Sequence, residues 1–461
     1  MELKLFDTSK GSKRKFSPID PPHVGMYACG PTVYNLVHIG NLRTYISEDI
    51  LHRVLELNGY KVDHVLGITD ISNATSKDSD ATHGDRKDSK STSEDSEIAE
   101  YYEMIFKNDI ADLNIREPKI YCRASDHISE QIQMISCIEK KQHTYKTSKG
   151  IYLDTKKLDE YGNLARLDVE GLKAGARIDD SEKRHLTDFV LWKFSPRDKK
   201  RLLEWDSPWG PGIPGWHTEC AAMSSKYLGK NFDIHCGRQN HIPVHHTNEI
   251  AQANVCYGTS LANYWVHGNF VHFKNKRMSK SADKLEITLQ NIVDRGFEPL
   301  DYRYLCLGAH YRSKLSFSWE SLEASTTALN RLRKIYSEID TSTVPDRGYM
   351  QRFISVVNND LNTPQGLALL WEMLKSELSP SVKKATMYEY DRVLGLRLDL
   401  RSSESEPIPT AIKALVNKHQ LAKANKQWRV ADSIRNQLSI EGYELQYLAD
   451  GTFRHVQRKS K

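Results

Sequence analysis

No run of this chain is apolar and long enough to cross a bilayer, and its start, MELKLFDTSKGSKRKF, carries no apolar leader. A secreted or membrane-spanning protein is therefore not expected. Cysteine is sparse as well: seven residues in 461, an odd number, with no C-x-x-C pair and no framework spacing. That pattern argues against a disulfide scaffold. It predicts a reducing cytoplasm, where each thiol is core filler, metal ligand or catalytic group. No internal repeat is present, which excludes a solenoid. The formal charge of +5 permits an acidic partner such as RNA without demanding one. What remains, 39% hydrophobic and 27% charged residues, is the composition of a globular protein of several domains.

Apolar spacing predicts a strand over residues 24–29, a helix over 42–58 and a second strand over 61–67. Strand, loop, helix, strand opens an α/β fold of the Rossmann type, with ligands expected where parallel strands end and helices begin. Residues 72–98 hold almost no large apolar side chains and read as a mobile solvated loop. Helical and extended signals alternate over 119–225 and end in SPWGPGIPGW. From Leu322 through Leu332, Phe353–Val357, Leu367–Leu374 and Leu394 the spacing is helical, which predicts a run of amphipathic helices. The polar segment RSSESEPIPT (401–410) reads as a linker to a last small unit.

Two constellations carry chemistry. His245 and Glu249 are four residues apart in VHHTNEIAQAN, a pattern that places both on one helix face, and Cys220 lies in the helical HTECAAMSSKYL. With Cys29 they make two thiolates, an imidazole and a carboxylate, a donor set that suits zinc. The plainer alternative is a pair of core cysteines, with His246 as the more solvent-facing neighbour. Second, His38-Ile39-Gly40-Asn41 precedes the helix over 42–58, and a helix N-terminus with a glycine admits a phosphate. KNKRMSKSADK (274–284) places Lys280 on a polar loop, where an ammonium can neutralise charge building on phosphates. Alone, the first is also an ordinary turn and the second a solvated loop.

CGPTVY (29–34), HIGN (38–41), ITD (68–70), DFVLWK (188–193), SPWG (207–210), PGWHTEC (214–220), FDIH (232–235), HHTNEIAQ (245–252), RMSKS (277–281), AHYRS (309–313) and LNTP (361–364) occur in the order of the blocks of one family. The chain resembles the cysteinyl-tRNA synthetases, class I aminoacyl-tRNA synthetases whose HIGH and KMSKS motifs bind ATP. The resemblance implies one zinc ion per chain on Cys29, Cys220, His245 and Glu249. It implies ATP, with magnesium, held by His38, Gly40, Asn41 and Lys280, of which His38, Asn41 and Lys280 are catalytic. Thr69, Trp216 and His235 line the cysteine pocket. KANKQWRVADSIRNQL (423–438) matches the family's basic helix, with Trp428, Arg429 and Arg435 set to meet tRNA. Read from the residues alone, Thr69 and Asp70 suit a helix cap, Trp216 and Trp428 core packing, and His235 a buried hydrogen-bonded histidine.

The implied partners are tRNA(Cys), L-cysteine and ATP, with no membrane, in a cytoplasmic monomer. The implied division is a class I catalytic domain over 1–315, with Rossmann halves at about 1–118 and 226–270, a connective insertion at about 119–225 and the KMSKS region at about 271–315. A helical bundle over 316–400 follows, then a linker and an anticodon-binding domain over 401–461. The implied chemistry is attack of the cysteine carboxylate on the α-phosphate of ATP, loss of pyrophosphate, and acyl transfer to the 3′ end of tRNA. Serine differs from cysteine by one atom, and a hydrophobic pocket separates such near-isosteres by only about ten- to two-hundredfold. Ligation of the thiolate by a soft ion supplies the missing discrimination.

The sequence departs from the family at Arg277 in place of the first KMSKS lysine. It departs again in CGRQN (236–240), where Cys236 and Arg238 stand at glycine positions and Asn240 at an aspartate, and in SNAT (72–75). Cys236 is expected as a buried filler, with a redox-sensitive thiol as the alternative. Two rival functions fit parts of the pattern: a synthetase-like cysteine ligase acting on a small amine, and a catalytically silent zinc protein that binds RNA.

Overall fold

The computed structural model describes residues 2–71, 92–166, 182–196, 203–273, 276–277, 287–399, 410–424, 428–441, 443–447 and 453–457. The expected loop 72–98 lies outside them up to residue 91. From Thr92 onward the chain is helical.

The chain opens with an antiparallel hairpin, β1 (Lys4–Asp7) and β2 (Ser12–Lys15), and continues into β3 (His23–Thr32), α1 (Ile39–Leu57), β4 (Lys61–Thr69), α2 (Thr92–Asp112) and β5 (Ile120–Arg123). An inserted segment follows: α3 (Ile128–Lys140), then β6 (Thr144–Lys146), β7 (Gly150–Leu153), β8 (Phe189–Phe194) and β9 (Gly212–Pro214) in one antiparallel sheet. Next come α4 (Trp216–Leu228), β10 (Phe232–Arg238), α5 (Thr247–Tyr257), β11 (Ala262–Gly268), β12 (Val271–Phe273), β13 (Lys276–Arg277), α6 (Leu289–Val293), α7 (Pro299–Leu307) and β14 (Leu315–Phe317). Four helices follow, α8 (Trp319–Ser337), α9 (Arg347–Val357), α10 (Thr363–Lys375) and α11 (Pro380–Leu394). The last unit is α12 (Thr410–Ala424), α13 (Trp428–Ile440) and the hairpin β15 (Tyr443–Tyr447) with β16 (Phe453–Gln457). It closes on its own small core of Ile412, Ala422, Ala431, Ile434, Leu438 and Tyr443.

The central sheet has five parallel strands in the order β11-β10-β3-β4-β5. A parallel sheet is covered on both faces, so β3, β4, β10 and β11 are nearly continuous runs of buried residues. Alternation along the strands sorts side chains between two cores. Met26 and Ala28 of β3 and Ile234 and Cys236 of β10 join the core on the α1 side. Tyr27 and Cys29 join the core built by α3, α4 and α5. Cys236 is thus buried filler beneath α1, and burial pushes its thiol well above the usual range.

Two expectations are corrected. First, α1 begins at Ile39, three residues before the expected start, because a distant segment fixes its first turn: Ile39 N donates to Ile287 O (2.8 Å), and His38, the N-cap, bridges to Thr288. The HIGN tetrad is therefore the cap and first turn of the helix. Second, Cys137 on α3 and Cys256 on α5 are disulfide-bonded, with Cα atoms 5.6 Å apart and 119 residues between them. Spacing along the chain cannot reveal a pair that only tertiary packing brings together.

The far half of α1 is anchored in a buried ionic knot. Asp49 Oδ2 accepts from Arg53 Nε at 2.8 Å and from Arg303 of α7 at 2.5 Å. Arg303 also donates to Leu394 O and Leu113 O, and Arg53 to Arg392 O and Asn114 O. Burial works against the Asp49 charge, yet the two guanidiniums hold its carboxyl below the usual range. No helix among the described residues is long and apolar enough to cross a membrane.

Candidate active site

Parallel strands β3 and β10 are neighbours, but their chains leave in opposite directions, β3 through α1 to β4 and β10 through α5 to β11. Such a switch point opens a crevice at the carboxyl ends of the strands. Cys29, near the end of β3, projects toward α4 and α5. There Cys220 stands on the second turn of α4, His245 on a π-helical turn over Ile242–His246, and Glu249 on the first turn of α5. The donor atoms of Cys29, Cys220, His245 and Glu249 all lie within 4.8 Å of one another.

Inside this cluster His245 Nε2 and Glu249 Oε1 are 3.0 Å apart, yet both are buried and neither makes a hydrogen bond. The two atoms face one space at ion-pair distance without the geometry of a hydrogen bond. Charge is already separated there. Contact with Cys29 and, against burial, with His245 brings the Cys220 thiol down to about 6, while Cys29 is pushed up by Cys220 and by burial. Burial opposes charge on His245, but Glu249 and Cys220 beside it lift its pKa to about 10. Burial likewise opposes charge on Glu249, and His235 and His245 draw it down to about 2. Orphaned buried donors and a mixed sulfur, nitrogen and oxygen set fit a borderline-soft divalent ion.

Further imidazoles surround the cluster. His235 Nε2 meets Glu249 Oε2 at 2.8 Å, and its ring stacks on Trp265 at 4.4 Å. His217 Nδ1 meets His245 Nδ1 at 2.8 Å. Thr8 Oγ1, His267 and His246 form a chain with two links of 2.7 Å, ending 3.5 Å from the Cys29 sulfur. Burial, together with neighbouring imidazoles, depresses His217 and His267 to about 3 and His246 well below the usual histidine value, so all three are neutral. Gly237 makes room for them: a Cβ there would lie 2.6 Å from His246 Cε1 and 2.9 Å from His241 Nδ1.

His246 is not the solvent-facing neighbour; it is as fully buried as His245. The doubled histidine in HHTNE was its only signal in the sequence, and nothing there marked His217, His267 or Thr8. Trp216, half-buried, stacks on His245 with ring centroids 4.0 Å apart. Thr69 is buried beside Glu219, whose carboxyl is pushed well above its usual range by burial, then by Cys220 and Asp70. Asp70 accepts from Ser125 N at 2.9 Å and so caps a turn across the sheet. On the other side of the crevice stand His38, Gly40 and Asn41, and Asn41 Oδ1 accepts from Arg238 Nη1 at 2.6 Å. Lys280 lies outside the described residues. Arg435 is exposed on α13 and pairs with Asp432 at 3.0 Å; Trp428 and Arg429 begin that helix, and their side chains lie outside the description.

Residues 15–327 match the family model of the class I (C) tRNA synthetase catalytic domain. The chain is 50% identical over 456 residues to "Cysteine--tRNA ligase 1" of Burkholderia lata, covering 98% of this chain and 96% of that protein. It is 40% identical over 491 residues to the cysteine--tRNA ligase of Treponema denticola, covering 98% and 99%. Among solved structures, Mycobacterium tuberculosis methionyl-tRNA synthetase in complex with methionyl-adenylate superposes with a TM-score of 0.53 at 13% identity, covering 81% of this chain and 90% of that one. That likeness is one of fold.

Proposed function

The chain belongs to the class I cysteinyl-tRNA synthetases, and on that premise we propose that Cys29, Cys220, His245 and Glu249 hold one zinc ion through which the enzyme selects its amino acid. The protein is a ligase that joins L-cysteine to tRNA(Cys) using ATP. The observation that carries the zinc reading is the convergence of the unsatisfied His245 Nε2 and Glu249 Oε1 with two thiol sulfurs. When bound, zinc supplies a soft Lewis acid that ligates a thiolate well and a neutral hydroxyl poorly.

The chain's own groups do the rest. His235 orients Glu249, and His217 orients His245, as partners behind metal ligands commonly do. Trp216 and Thr69 shape the wall of the cysteine pocket. His38, Gly40 and Asn41 present the N-terminal turn of α1 to ATP, which enters with magnesium, and Lys280 steadies the pyrophosphate that leaves. The cysteine carboxylate attacks the α-phosphate, pyrophosphate departs, and the acyl group passes to the terminal ribose of tRNA. No covalent intermediate with the protein is needed, so positioning and charge stabilisation supply the catalysis. Arg435, with Trp428 and Arg429, belongs to the surface that meets tRNA. The enzyme works as a cytoplasmic monomer.

The test is exchange of pyrophosphate into ATP, dependent on cysteine, with and without prior removal of zinc. Exchange with cysteine but not serine, lost on chelation and restored by zinc, is expected. Cys220→Ser should lose metal and exchange together. A full zinc complement in that variant, measured by elemental analysis, overturns the ligand assignment.

A further inference from the structure

Arg238 ends β10 at the switch crevice, and its side chain reaches toward α1 rather than toward the cysteine pocket. Its Nη1 donates to Asn41 Oδ1 at 2.6 Å and its Nε to His241 Nε2 at 3.3 Å. Both partners are neutral: one is an amide, the other an imidazole that burial and Arg238 hold well below the usual histidine range. No carboxylate pairs with this guanidinium among the described residues. The first turn of α1 has no acidic residue, and no side chain caps it. Glu48, two turns further along, is buried, neither of its oxygens has a hydrogen-bond partner, and burial outweighs the pull of Arg238 to raise its carboxyl to about 8, which leaves it uncharged at neutral pH. The crevice therefore gathers a permanently charged fork and a positive helix end with no anion to balance them.

We propose that Arg238 is a phosphate-binding residue of the ATP site, presented by Asn41 so that its guanidinium meets the polyphosphate of the nucleotide rather than the nucleoside. A guanidinium offers five donors in a fixed fork, and two bonds to neutral partners leave donors for phosphate oxygens. Its position at the end of β10, facing the first turn of α1, places that fork where a strand-end nucleotide carries its phosphates. The residue also provides a second cation in a site whose other expected cation, Lys280, comes from a stretch 42 residues further along the sequence. The inference rests on the reading that the enzyme uses ATP.

The test compares Arg238→Met and Arg238→Lys with the wild type as full-length, zinc-loaded protein, by calorimetric titration with ATP and, separately, with adenosine. The Met variant should weaken ATP roughly ten- to hundredfold, the range for a hydrogen bond to a charged group, and leave adenosine within about twofold. The Lys variant should fall between, and zinc content and the KM for cysteine should be unchanged in both. Wild-type affinity for ATP in the Met variant overturns the proposal. So does a parallel loss for adenosine, which would make Arg238 a prop for the nucleoside pocket. Wild-type protein that binds ATP but performs no cysteine-dependent exchange refutes the ligase reading, and the ATP-to-adenosine ratio still judges Arg238.

Discussion

Gly237→Ala tests whether the imidazoles behind the candidate metal cluster are as tightly seated as the structure shows. The added Cβ would stand 2.6 Å from His246 Cε1 and 2.9 Å from both His246 Nε2 and His241 Nδ1. Carbon atoms prefer about 3.5–4.0 Å, so the ring of His246 must retreat by about 1 Å. It has no open side: His267 holds it at 2.7 Å, the His235 ring lies 4.4 Å away, and the Trp265 ring 5.0 Å. Overpacking of this kind costs about 1–3 kcal/mol, which for a domain of this size lowers the melting temperature by roughly 2–6 °C. The displaced ring also abandons its place 3.5 Å from the Cys29 sulfur. Loss of a partner behind a metal ligand typically weakens binding about 10- to 100-fold, which competition with a graded series of chelators would read. Gly268→Ala is the control, since its Cβ would meet nothing closer than 3.9 Å. A Gly237→Ala protein with the melting temperature and zinc affinity of the wild type would refute the argument.

Three other outcomes follow from particular residues. Burial raises the Glu48 carboxyl from 4.5 to about 8, so the folded protein keeps a proton that the unfolded chain has lost, and stability falls as pH rises between those values. Glu48→Gln should remove about 5 kcal/mol of that decline, seen as a flatter plot of urea midpoint against pH; an unaltered slope would contradict it. Asp49→Asn leaves Arg53 and Arg303 buried without their counter-charge and should destabilise by about 3–5 kcal/mol, with partial recovery in the double variant with Arg303→Met; additive losses in the double variant would show that the two sites do not interact. Removing residues 400–461 should spare cysteine-dependent exchange while raising the KM for tRNA severalfold, and an unchanged KM would rule out a tRNA-binding role for that unit.

Of the metal-ligand candidates, the pairing of His245 with Glu249 was legible because it is periodic, whereas Cys29 and Cys220, far apart in sequence, were joined to it by the family resemblance. His245 and Glu249 sit one turn apart, and Cys29 occupies the strand parity that faces α4 and α5. The order of α/β elements was legible for the same reason: buried parallel strands are long apolar runs, and the helices between them repeat near 3.6. What escaped depends on contacts across hundreds of residues. The first turn of α1 is set by Ile287 and Thr288, and the Cys137–Cys256 bond joins helices from two separate segments. His246 looked like the wetter member of its pair because helical periodicity places adjacent residues on different faces. The π-helical turn and the roof formed by Trp265 and His267 bury both.

The knot at Asp49 gives α1 two masters. About 13 Å of rigid helix separates Asp49 from Gly40. One end is riveted through Arg53 and Arg303 to the last turn of α11, and the other faces the nucleotide crevice. A stiff strut with both ends engaged transmits rather than absorbs movement. A tilt of the α8–α11 bundle would therefore be carried along α1 to His38 and Asn41, and a shift at the crevice would be carried back to Arg392 and Leu394.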